Sequence, residues 1–114
     1  MRRAVVTGWG IVSPLGGGRE AFADGLLSGR SAAAPIEAFD ASGFECSIAA
    51  EVRDAPPPPD GLPLLDRRTR LGVAACQAAL AHAGLSRASE SERDRWAVSL
   101  GTGLSSVVLE ELDA

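Results

Sequence analysis

A few residue groups have the types and spacing that chemistry requires. Gly8-Trp9-Gly10 ends a short apolar run. Glycines at such a turn let a backbone approach a pyrophosphate at a helix N-terminus, as in a dinucleotide site. That fingerprint places a third glycine three residues after Gly10, where Ser13 stands, followed by Pro14; no acidic residue follows a strand at the ribose-binding distance. A dinucleotide-binding module is therefore a remote alternative. His82 is the single histidine, a residue type suited to general acid–base work. It sits near the C-terminal end of an expected helix, where the dipole favours a cation, and no Ser, Cys or carboxylate constellation points to it. It reads as a helix-end side chain. Cys76 lies six positions earlier, and six residues turn a helix through about 600°, so the two form no dyad on one helix. Cys46 has no cationic neighbours in sequence that would favour a thiolate. Neither cysteine has metal-ligand spacing, and both read as small buried apolar residues. Glu90/Glu92 and Glu110/Glu111 fall in hydrophilic stretches and read as solvated surface. No complete active site can be assembled from these parts.

The elements that would carry them are legible from periodicity. Residues 3–7, Arg3-Ala4-Val5-Val6-Thr7, form a β-branched apolar run that predicts a buried strand. After Gly16-Gly17-Gly18, the pairs Phe22/Leu26 and Ala23/Leu27 at spacing four predict an amphipathic helix over 19–28, with Gly29 placed to end it. Residues 47–52 are a weaker strand. The prolines at 56–59 remove four backbone donors and dictate an extended surface loop; about fifty residues on either side are few for separate cores. Asp66 can cap a helix that runs to Ala83, with Gly84 just beyond. Gly72, Ala75, Cys76, Ala79 and Ala83 give this helix a face of very small residues, and Leu71, Ala74, Ala78 and Leu80 extend its apolar surface. Such a helix belongs in an interior, packed closely on a sheet or other helices. Residues 96–100 predict another buried strand, Gly101-Thr102-Gly103 a second glycine turn, and Leu104, Val108 and Leu112 the beginning of a further helix. Strand and helix alternate, which predicts an α/β fold with a parallel sheet.

Composition narrows the function classes. The chain has 114 residues, 46% apolar and 23% charged, the make-up of a globular piece of about one domain. Acids outnumber bases 15 to 11, for a net charge of -4, which argues against a nucleic-acid partner, since gripping a phosphate backbone takes clustered cations. The longest apolar runs fall well short of the roughly 20 residues that span a bilayer, and Thr7-Gly8 interrupts the N-terminal apolar run before it reaches signal-peptide length. The expectation is a cytoplasmic protein with no membrane partner.

The opening Ala4-Val5-Val6-Thr7-Gly8-Trp9-Gly10-Ile11-Val12-Ser13-Pro14-Leu15-Gly16 closely resembles the start of the β-ketoacyl-acyl carrier protein synthases, the condensing enzymes of fatty acid and polyketide synthesis. Three more stretches keep that family's order. Gly25-Leu26-Leu27-Ser28-Gly29-Arg30-Ser31 resembles its first helix end. Asp66-Arg67-Arg68-Thr69-Arg70 through Ala83-Gly84-Leu85 resembles its long buried helix, and Val98-Ser99-Leu100-Gly101-Thr102-Gly103 the strand and glycine turn that follow.

The resemblance implies a thiolase-like α/β fold, with α-β-α-β-α layers when complete, of which residues 1–114 supply the N-terminal segment, incomplete at its C-terminal end. It implies an acyltransferase that performs decarboxylative Claisen condensation of acyl and malonyl thioesters delivered by acyl carrier protein, without cofactor or metal. It also implies a homodimer or a heterodimer of ketosynthase-like subunits. The family's nucleophilic cysteine and two histidines belong downstream of Ala114, so Cys46, Cys76 and His82 receive no catalytic role, and this chain by itself is expected to be inactive. Leu104, just after Gly101-Thr102-Gly103, resembles the residue that lines the acyl-chain pocket. A non-catalytic ketosynthase-like partner of the chain-length-factor type is the alternative, told apart by whether a cysteine follows in the nucleophile turn.

Overall fold

A computed structural model describes residues 3–57 and 66–101. Two short hairpins and three helices follow one another along the chain: β1 (Val12–Ser13), β2 (Gly16–Gly17), α1 (Arg19–Leu27), β3 (Ala33–Pro35), β4 (Ile48–Ala50), α2 (Arg67–His82) and α3 (Glu90–Arg93). β1 pairs antiparallel with β2, Val12 facing Gly17 and Ser13 facing Gly16. The Ser13 hydroxyl donates to the Gly16 carbonyl at 3.1 Å inside this turn. β3 pairs antiparallel with β4, and Ala33, Ala34 and Pro35 face Ala50, Ala49 and Ile48.

Both long helices end as the glycines at 29 and 84 predict. Gly29 has φ 66° and Gly84 φ 73°, a conformation that a residue without Cβ adopts cheaply. Beyond each glycine the chain turns back onto the last turn, with Arg30 N–H donating to Gly25 O at 3.0 Å and Leu85 N–H to Leu80 O at 2.8 Å. These bonds satisfy carbonyls that the helix itself leaves open. At the start of α2 the Asp66 carboxylate accepts from the backbone N–H groups of Arg68 at 2.9 Å and Thr69 at 3.1 Å, and from the Thr69 hydroxyl at 2.5 Å. Those bonds favour the charged form, and the carboxyl of Asp66 is held below its ordinary value, chiefly by the Thr69 hydroxyl and then by the Thr69 N–H.

α3 is an element that hydrophobic periodicity does not predict, although Ser89-Glu90-Ser91-Glu92 carries the serine-x-x-glutamate signature of a helix start. Glu92 Oε2 accepts from Ser89 N–H at 2.8 Å and from the Ser89 hydroxyl at 2.7 Å. The Ser89 hydroxyl, followed by its N–H, lowers the Glu92 carboxyl from its ordinary value.

The segments at 3–7 and 96–100 depart from expectation. Neither forms a ladder among the described residues, and the two ladders present are antiparallel rather than parallel. Val5, Val6, Val98 and Leu100 are 79%, 87%, 89% and 80% exposed. A strand buried on both faces is built by its neighbours on either side, and no described segment lies in hydrogen-bonding register with these two. α2 is likewise less covered than its composition predicts: no residue in it is buried. Among described residues the buried apolar side chains are Ala41 and Ala88 alone, and the Cα radius of gyration is 17.5 Å, against about 13 Å for a compact domain near this length. The described residues mix helix and strand around an open interior.

Candidate functional site

The contact that organises this structure is made by the first glycine motif. Gly8 and Gly10 lie directly against α2. A Cβ built on Gly8 would stand 2.6 Å from the Ala79 carbonyl oxygen and 2.7 Å from both Ala83 N and Ala83 Cβ. One built on Gly10 would stand 2.6 Å from Ala79 N and 2.8 Å from Ala78 Cβ, and closer still to the Ala75 carbonyl oxygen. The small residues Ala75, Ala79 and Ala83 recur at spacing four on α2, so successive turns of the helix offer bare backbone to the glycine segment. Gly72, which the sequence places on the same face, has nothing described within 4 Å of its Cβ position.

This geometry explains why the glycines resemble a dinucleotide motif without being one. The close approach they permit is to a helix backbone, which fills the space a pyrophosphate would need. The chain also does not pass from the turn into a helix N-terminus, as such a site demands; the β1–β2 hairpin intervenes, and α1 begins only at Arg19.

His82, the last residue of α2, joins this contact. The Trp9 backbone N–H donates to His82 Nδ1 at 3.1 Å, and the Arg19 guanidinium lies against Nε2. The indole of Trp9 meets the imidazole edge-on, with ring centroids 6.3 Å apart and planes at 67°. His82 therefore ties the glycine segment and the start of α1 to the end of α2. It is a helix-end side chain, as its position predicts, but its partner 73 residues away was not readable. The indole and amide of Trp9, between two glycines that bring it to α2, are the signal that could have indicated it.

α1 is anchored to the first hairpin through a glycine as well. Gly25 is buried, its Cβ position 3.1 Å from Leu15 Cβ, and the Arg30 guanidinium donates to the Leu15 carbonyl. Leu26 and Leu27, the expected apolar face, are 61% and 85% exposed. On the second hairpin, Glu51 accepts from the N–H groups of Glu37 at 3.0 Å and Ala38 at 3.2 Å, and Arg53 pairs with Glu37 at 3.1 Å. The Arg67 guanidinium donates to the Val52 carbonyl and so connects this hairpin to α2. Between the hairpins and α2 lies an open hollow of about 510 Å3, bordered by Val12, Ser13, Arg30, Asp54, Ala74 and Ala78.

The remaining candidates stay apart. Cys46 and Cys76 are both exposed free thiols rather than buried apolar residues, and the Cys46 Sγ donates to the Ile48 carbonyl at 3.5 Å. No group of three or more metal-ligating side chains occurs among the described residues, and no described helix is long and apolar enough to cross a membrane. Glu90 and Glu92 belong to the first turn of α3. Leu104, the expected pocket residue, lies outside the described residues, as do Glu110 and Glu111.

The conspicuous glycines of this chain serve helix packing. The model of the β-ketoacyl synthase N-terminal domain matches residues 1–113. The chain belongs to the β-ketoacyl synthase family. It is 39% identical over 109 residues to the granaticin polyketide putative β-ketoacyl synthase 1 of Streptomyces violaceoruber, a match covering 92% of this chain and 26% of that protein. It is 34% identical over 119 residues to the 3-oxoacyl-[acyl-carrier-protein] synthase 2 of Synechocystis sp., covering 96% of this chain and 27% of that one. Over a shorter stretch of 56 residues it is 54% identical to the synthase 2 of Coxiella burnetii, covering 49% of this chain and 14% of that protein. The chain thus spans about a quarter of the two relatives that it matches along most of its length. No solved structure matches it.

Proposed function

We propose that this chain is the N-terminal portion of a β-ketoacyl-acyl carrier protein synthase, an enzyme of decarboxylative Claisen condensation in fatty acid or polyketide synthesis. The observation that carries the reading is the match of the β-ketoacyl synthase N-terminal domain across residues 1–113. In this reaction an acyl group passes from its carrier thioester to a cysteine thiolate and frees the carrier thiol. A malonyl thioester then loses carbon dioxide, and the resulting carbanion attacks the acyl carbonyl and expels the cysteine. The cysteine and two assisting histidines lie downstream of Ala114 in this reading, in a thiolase-like fold of α-β-α-β-α layers. The present segment contributes the α2 helix and the glycine segment seated on it, which hold the first layers in register.

Acyl carrier protein bearing acyl or malonyl groups is the partner, a second ketosynthase-like subunit completes a dimer, and the cytoplasm, where carrier-bound thioesters are handled, is the site of action. The decisive test is a graft. This segment replaces the matching first quarter of the Synechocystis synthase, and elongation of acyl carrier protein substrates is assayed with malonyl carrier protein. Retained condensation supports the reading, while a folded chimera without activity overturns it. Leu104 is proposed to line the acyl pocket. In the same graft Leu104→Phe should shift the products toward shorter chains, and an unchanged product distribution would remove that role.

A second reading is a partner subunit without the nucleophile. It rests on the family resemblance, which includes such non-catalytic subunits beside the active synthases. Mass mapping of the peptides that follow Ala114 in the natural product, if it extends so far, separates the two readings by the presence of a cysteine in the nucleophile turn.

A further inference from the structure

We draw no further inference here: the strongest candidate, the open cavity of about 510 Å3 between the β1–β2 hairpin, the ends of β3 and β4, and α2, is a partly exposed face with nothing in the structure to show what covers or fills it.

Discussion

Replacing Gly10 by alanine should unseat α2. The new Cβ would lie 2.6 Å from Ala79 N and 2.8 Å from Ala78 Cβ, and nearer still to the Ala75 carbonyl oxygen. Non-bonded carbon contacts are comfortable at about 3.5–4.0 Å, so the helix and the glycine segment must part by roughly 1 Å. A gap of that size forfeits a quarter to a half of the dispersion attraction along the seam, and overpacking of this kind costs about 1–3 kcal/mol. At the upper end this is a shift of roughly 100-fold in the folding equilibrium, since about 1.4 kcal/mol is tenfold. The assay is the melting of the grafted synthase, followed in parallel by hydrogen exchange of the α2 amides. Gly17→Ala is the control, because nothing described lies within 4 Å of its Cβ position and its φ is not positive. The obstructing atoms at Gly10 include the carbonyl and amide of α2, so Ala78→Gly should not rescue Gly10→Ala. If Gly10→Ala melts with the control, or the second substitution restores it, the seam is not held by backbone contact and the reasoning fails.

Acidification should loosen the start of α2 through Asp66, whose folded carboxyl is held below its unfolded value by the Thr69 hydroxyl and N–H. For a depressed carboxyl the stabilisation is in place above the unfolded value of about 3.9 and is lost as pH falls through the lower folded value. First-turn amide protection should therefore drop in strong acid, and in Asp66→Ala it should be low and flat with pH. Cys46→Ala and Cys76→Ala in the graft should leave condensation within about twofold of the parent, because both thiols are free and exposed and no reactive partner is placed beside them; abolished acyl transfer in either variant would contradict this. The chain by itself should show no sharp cooperative melt and no condensation, since its buried apolar side chains among described residues are two alanines. Calorimetry and a carrier-protein acylation assay check both statements.

Local signals in the sequence carried the fold furthest. Asp66, Gly29 and Gly84 act within a turn or two of their own positions, and each sets a helix end where its chemistry predicts. The serine-glutamate cap of α3 is equally local, but charge alone makes its acidic residues read as solvated surface and hides their role as N-terminal acceptors. The hairpins were less legible. Ala33, Ala34 and Pro35 have weak strand preferences, and their pairing with residues 48–50 is supported by Glu51, just past β4, which reaches back to the amides at 37 and 38 in the connecting loop. Residues 3–7 and 96–100 show the opposite failure. Their apolar pattern is strong, but a pattern states only that a segment can be buried, and the neighbours that would bury it are supplied by tertiary structure.

The glycine motif shows why a site can be visible in sequence and yet be misread. A glycine reports that something must come close to the backbone, and it does not report what. At Gly8 and Gly10 the visitor is a helix whose own alanines at 75, 79 and 83 were just as visible. The two signals, a pair of glycines on an extended segment and alanines at spacing four on a helix, are complementary halves of one contact. Each taken alone has a rival reading: a phosphate cradle for the first, generic core packing for the second. Joined, they require a strand-like segment lying flush on α2, with Trp9 carried between the glycines to meet His82 at the helix end. That seam accounts for the conspicuous residues near the N-terminus as the packing groups of one contact.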